Sequence, residues 1–147
     1  MRDNPVKAKL QRGETAIGTM LFELFVPGIP RLMAHSGAEF AIYDMEHTGT
    51  SFETLRMLAA ASRGPSPVPM CRVPATEYHF MARALDVGML GLMIPMMESA
   101  EQARTVVEAT RYPPRGRRGA GLGMGQDDYE PGTLQEKIAA LDRGRSS

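Results

Sequence analysis

The residue types best suited to chemistry gather at the end of an apolar run. Phe40 to Asp44 predicts a buried strand, and Asp44, Glu46 and His47 follow at its carboxyl end. Strands of a parallel sheet are covered on both faces and read as continuous apolar runs, so charged side chains collect at their carboxyl ends, facing a crevice or barrel mouth. Two carboxylates there can hold a divalent cation or its bound water, and an imidazole titrates near neutrality as a proton acceptor. The same spacing also suits a strand-end acidic pair that caps the next helix through solvent, with a surface histidine beside it.

Arg72 closes the next apolar run, Val68 to Val73. A guanidinium in that position can grip a carboxylate with two hydrogen bonds and stabilise a developing enolate charge. Equivalent ends of neighbouring parallel strands lie about 4.8 Å apart, so Arg72 and His47 are expected at one mouth, unless Arg72 is a surface arginine paired with Glu46. Asp86 stands at the C-terminal end of a predicted helix, where the helix dipole disfavours a carboxylate and calls for a compensating partner. Helix ends and strand ends lie on opposite sides of such a sheet, so contact between Asp86 and His47 within one subunit is not the obvious geometry. His35 and His79 have no acidic neighbour at a strand end and read as structural.

The elements that must position these groups alternate. A short helix over Pro5 to Arg12 precedes a strand at Ala16 to Glu23, a helix at Pro27 to Ser36 and the strand at Phe40 to Asp44. Ser51 caps a helix that closes at Gly64, and Thr76 with Glu77 opens another that stops at Gly88. A strand at Leu90 to Pro95 and a helix at Ser99 to Thr110 complete four strand-then-helix units. That rhythm predicts an α/β fold with a parallel sheet, and a doubly wound nucleotide-binding domain is the competing architecture. No glycine fingerprint follows the first strand, and Gly119 to Gly125 has no strand before it.

From Arg111 the chain is expected to be a solvated loop, with arginines at 111, 115, 117 and 118 and the acidic pair Asp127 and Asp128. A last amphipathic segment runs from Thr133 to Leu141. The methionines at 89, 93, 96 and 97 read as core filler, because Met adapts to irregular packing.

The 147 residues predict a single domain, and 17 basic against 17 acidic residues remove the electrostatic reason for broad nucleic-acid or membrane-surface binding. A small anionic substrate remains compatible. One cysteine, Cys71, excludes an intramolecular disulfide and is expected to be a buried strand residue. No apolar stretch reaches membrane-spanning length, and a cytoplasmic location is the expectation.

Four stretches taken in order, Asp44-Met-Glu-His47, Cys71-Arg-Val-Pro74, Leu85-Asp-Val-Gly88 and Arg111-Tyr-Pro-Pro-Arg-Gly-Arg-Arg-Gly119, resemble the HpcH/HpaI aldolase family as far as about Tyr129. The resemblance implies a (β/α)8 TIM barrel of which this chain would form about four units, the amino-terminal half. It also implies a metal-dependent class II aldolase, a carbon–carbon lyase that splits a 2-oxo-4-hydroxy acid into pyruvate, or a pyruvate derivative, and an aldehyde. His47 then matches the catalytic histidine, Asp86 its dyad partner, and Arg72 the arginine that holds pyruvate and its enolate. Asp44 and Glu46 match acidic positions beside a site for Mg²⁺, Mn²⁺ or Co²⁺, and homo-oligomers are the family habit. The direct metal ligands of the family, a Glu and an Asp, belong to strands five and six, and the segment 126–147 departs from the family pattern. The alternative is a non-catalytic half-barrel that binds a small oxo acid or pairs with another polypeptide.

Overall fold

A computed structural model describes residues 2–144, and side chains through residue 142. Helix α1 (Pro5–Gln11) starts where the Asn4 side chain accepts from the Lys7 backbone N–H and Pro5 occupies the first turn. Strands β1 (Gly18–Leu21), β2 (Phe40–Asp44), β3 (Val68–Arg72) and β4 (Gly91–Met93) form one parallel sheet in sequence order. Helices α2 (Ile29–His35), α3 (Phe52–Ala61) and α4 (Tyr78–Asp86) connect them, and α5 (Ala100–Thr110) follows β4. Ser51 caps α3 by accepting from the Thr54 N–H, and Ser99 with Gln102 makes a reciprocal capping box on α5. After a long loop, α6 (Leu134–Gly144) begins where Thr133 and Glu136 exchange hydrogen bonds.

The strands are apolar because both sheet faces are covered along much of their length. Ala41, Tyr43 and Cys71 pack with Leu55, Leu58, Met81 and Ala84 into the core beneath the helices. Phe40, Val68 and Met70 lie on the other face, where α1 inserts Val6 against Val68 and Leu90. That arrangement closes the amino-terminal end of the sheet. Room for the large inner side chains comes from the neighbouring strands: a Cβ at Gly18 would stand 2.5 Å from Phe40, and one at Gly91 would stand 2.7 Å from Met70.

The register aligns Met20, Ile42, Met70 and Gly91 across the sheet, and it aligns Asp44, Arg72 and Met93 at the carboxyl end. Since side chains alternate along a strand, Asp44 and Arg72 project on the same face as Ile42 and Met70. Strand β4 stops at Met93 rather than Pro95, and Met93, Met96 and Met97 are exposed. Their expected role as core filler holds for Met89 alone. The loop from Arg111 also departs from expectation, because Arg111 and Arg118 are buried and Asp127 is fully buried.

Candidate active site

Strand register places Asp44 directly beside Arg72. The Arg72 Nε donates to Asp44 Oδ1 at 2.6 Å, and its Nη1 lies 3.1 Å from Glu46 Oε2. Asp44 has no solvent exposure, and both its oxygens are engaged: the backbone N–H groups of Glu46 and His47 also donate to them. Burial alone would raise the Asp44 carboxyl, but the hydrogen bonds from Arg72, His47 and Glu46 outweigh it and hold the group below the usual carboxylate range. The hydrogen bond to Asp44 correspondingly raises Arg72 against the effect of desolvation. Asp44 therefore turns the chain out of β2 and fixes the guanidinium together.

His47 is the accessible member of the group. Its side chain is 66% exposed, and Nε2 lies 3.7 Å from Glu46 Oε2. The Thr48 hydroxyl bonds the Asp44 carbonyl and the Thr50 hydroxyl, so the turn beyond His47 is tied back to the strand. An open cleft of about 470 Å³ lies beside it, lined by Phe22, Glu23 and Phe25 from the loop after β1 and by His47, Thr48 and Thr50 after β2. Phe22 also lies under the Arg72 guanidinium, whose Cζ is 5.8 Å from its ring centroid. Leu24 adopts a positive φ of 63° between two of these lining residues. A non-glycine residue in that region stores strain, a habit of functional loops.

Asp86 is not part of this group. It ends α4, on the side of the sheet where strands begin, and its carboxylate pairs with the fully buried Arg118. Arg118 also packs over Tyr112, with its Cζ 4.8 Å from the ring centroid. His35 and His79 are exposed and outside the mouth: the His35 Nδ1 contacts the Arg31 carbonyl at 2.8 Å, and His79 packs edge-on to Tyr78. Phe22, Glu23 and Phe25 escaped sequence reasoning. The detectable signal was that Phe22 continues the period-two alternation of Gly18 and Met20 into the face that carries Asp44 and Arg72.

The arrangement suits an anion more readily than a cation. Arg72 keeps part of its donor fork for a ligand, since two of its three nitrogens already face carboxylates and five N–H groups are available in all. Among the described residues no three His, Cys, Asp or Glu side chains come together as a metal set. Asp44 and Glu46 are drawn towards Arg72, so the residues present do not by themselves fit a divalent ion. No described helix is long and apolar enough to cross a membrane.

Known proteins share this architecture. The chain is 32% identical over 135 residues to the hydroxypyruvate/pyruvate aldolase of Roseobacter denitrificans, covering 87% of this chain and 52% of that one. It is 36% identical over 121 residues to the 2-keto-3-deoxy-L-rhamnonate aldolase of Escherichia coli, covering 82% and 45%. The crystal structure of an HpcH/HpaI aldolase from Desulfitobacterium hafniense superposes with a TM-score of 0.89 at 32% identity, over 95% of this chain and 53% of the other. The four-stranded sheet is accordingly half of a TIM-type barrel, and the chain spans about half the length of the curated relatives it matches. With the family model matched over residues 20–140, the chain belongs to the HpcH/HpaI aldolase/citrate lyase family.

Proposed function

We propose that this chain carries the oxo-acid-binding half of a carbon–carbon lyase that cleaves a 2-oxo-4-hydroxy acid into pyruvate, or a pyruvate derivative, and an aldehyde. The observation that carries the reading is the Arg72 guanidinium, fixed by Asp44 and Glu46 beside the accessible His47. Arg72 would bind the substrate carboxylate and oppose the negative charge that develops on the enolate as the C3–C4 bond breaks. His47 would accept the proton of the C4 hydroxyl, which needs an accessible imidazole within hydrogen-bond reach of that group. The Mg²⁺, Mn²⁺ or Co²⁺ that the family resemblance implies would require carboxylate donors besides Asp44 and Glu46, which are drawn to Arg72. Asp86 is proposed as a partner of His47 by resemblance alone. A small oxo acid as ligand, a cytoplasmic location, a homo-oligomeric state and no binding to nucleic acid or membrane belong to the same proposal.

The test is pyruvate release from a 4-hydroxy-2-oxo acid, with and without added Mg²⁺, Mn²⁺ or Co²⁺. Release that survives unchanged in His47→Ala and Arg72→Ala removes the reading. The second reading is a non-catalytic half-barrel that binds an oxo acid or pairs with another polypeptide, and it is favoured by β1 and β4, which among the described residues each have one strand neighbour. A monomeric chain with no calorimetric response to pyruvate would sink it.

A further inference from the structure

We propose that the small cavity between the C-terminal ends of α3 and α4 is an accessory site for a phosphate group, gripped by Arg2, Arg56 and Arg63 at the end of the sheet opposite Arg72. The cavity holds about 60 Å³ and no carboxylate of the described residues lines it. Arg56, Ala59 and Ala60 share one face of α3, and Arg63 follows just after the helix ends. Two small side chains thus leave room between two long cationic ones. The opposite wall is a loop that closes on the helices because two glycines allow it. A Cβ at Gly125 would stand 2.7 Å from the Val87 carbonyl oxygen, and one at Gly88 would stand 3.1 Å from the Gly125 carbonyl oxygen. Asp128 and Tyr129 follow, each with a φ of 60°, a conformation that clusters at ligand clamps when residues other than glycine adopt it. They set the Tyr129 ring 5.6 Å from Arg63 Cζ and Asp128 Oδ1 2.7 Å from Arg63 Nη2.

Asp128 answers one guanidinium of the three. Among the described residues Arg56 has no carboxylate partner, and Arg2 donates to the carbonyls of Ala59 and Gly88. Those two bonds also cover the negative helix ends that would otherwise repel an anion. Burial lowers Arg2 from its usual value, Asp128 opposes this, and the like charge of Arg63 adds to it. An anion between the two would relieve that repulsion. Guanidinium forks arriving from three sides suit a tetrahedral oxyanion better than a planar carboxylate, which presents a single edge. The volume equals about two water molecules by their share of the liquid, so the cavity takes the phosphate and leaves any attached chain in solvent. Helices α3 and α4 each pack against a helix on either side, which sets the site away from the sheet edges β1 and β4.

The experiment titrates the ¹⁵N-labelled chain separately with inorganic phosphate and with glycerol 3-phosphate, at pH 8 and at an ionic strength held constant with sodium chloride. The amides of Ala60, Arg63 and Tyr129 report on the cavity, and those of Asp44 and Arg72 report on the mouth. Saturable shifts at the cavity are expected, and Arg56→Gln should weaken the affinity about tenfold, the loss of one charge-assisted hydrogen bond. Arg104→Gln makes the same change of charge on α5 and should leave the affinity as it was. Both positions are exposed, so neither substitution threatens the fold. Saturation by glycerol 3-phosphate identifies the ligand as a phosphate ester, and saturation by inorganic phosphate alone identifies it as the free ion. No saturable response to either probe, an affinity indifferent to Arg56→Gln, an equal loss in Arg104→Gln, or shifts confined to Asp44 and Arg72 overturns the proposal.

Discussion

Arg72 and Asp44 are register partners on adjacent strands, joined by a 2.6 Å hydrogen bond between a half-hidden guanidinium and a fully buried carboxylate. Asp44 also accepts from two backbone N–H groups at the turn to His47, so one side chain serves both the turn and the anion-binding group. Truncation in Asp44→Ala leaves Arg72 with Glu46 alone and strips both turn amides of their acceptor. Breaking a buried pair costs about 3 to 5 kcal/mol, and the partial exposure of Arg72 argues for the lower end, about 3 kcal/mol. Urea unfolding of the variant checks this, and an unchanged midpoint and slope would contradict it.

Acid should destabilise the fold through Asp44 and Asp127. Both are fully buried, and in both the hydrogen bonds and charge partners outweigh burial and lower the folded-state value. A lowered folded-state value means that the unfolded chain binds protons first as pH falls. The stabilisation is therefore complete above the unfolded carboxylate value of about 3.9 and is lost as pH drops through the folded one. Asp127 is held by Lys137 Nζ at 2.6 Å and by the N–H groups of Gly123, Met124 and Tyr129. Unfolding free energies at pH 7, 4 and 3 should be similar for the first two and lower for the last. In Asp127→Asn the acid limb should be shallower, and an identical limb would exclude Asp127 as its source.

The Asp86 and Arg118 pair should respond asymmetrically. Arg118 has no side-chain exposure, whereas Asp86 retains 27%. Deleting the carboxylate strands a buried guanidinium, but deleting the guanidinium leaves a carboxylate that water can reach. Asp86→Ala should therefore cost about 3 kcal/mol, and the added change Arg118→Met should restore part of that loss by removing the orphaned charge. A double-mutant cycle under guanidinium unfolding reads the coupling directly. Additive losses would mean that the two groups do not depend on each other.

Strands β2 and β3 were legible because Phe40 to Asp44 and Val68 to Val73 are apolar runs bounded by turn residues and paired on both sides. Strand β4 was less legible because its length depends on its partner: β3 offers Met70 to Arg72, and pairing stops at Met93. The exposed Met96 and Met97 follow from that edge position, which local composition does not encode. Arg118 and Asp127 were misleading for a different reason. Their partners, Asp86 and Lys137, lie 32 and 10 residues away, so charge content near Arg111 to Gly119 and Asp127 suggested solvent where folding buries Arg118 and Asp127 in ion pairs. The Asp44, Glu46, His47 and Arg72 cluster was readable because strand ends converge by geometry, while Glu23 and Phe25 reach the mouth through a left-handed Leu24 that no pattern announces.

Cys71 offers a reporter of the mouth from beneath. It precedes Arg72 on β3, its side chain is fully buried, and burial pushes its thiol up to about 12. At pH 8 the thiolate fraction would be about one in ten thousand, and the sulfur is shielded besides. A thiol–disulfide dye should thus leave the folded chain unlabelled and react with one equivalent in guanidinium. Slow labelling of the native chain would then measure opening of β3. A ligand bound to Arg72 in the folded state stabilises it by RT ln(1 + [L]/Kd), so pyruvate at about 100 times its dissociation constant should slow labelling about a hundredfold when opening limits access at equilibrium. Rapid labelling without denaturant would show that β3 is not the protected strand described here, and labelling indifferent to pyruvate would separate Arg72 from oxo-acid binding.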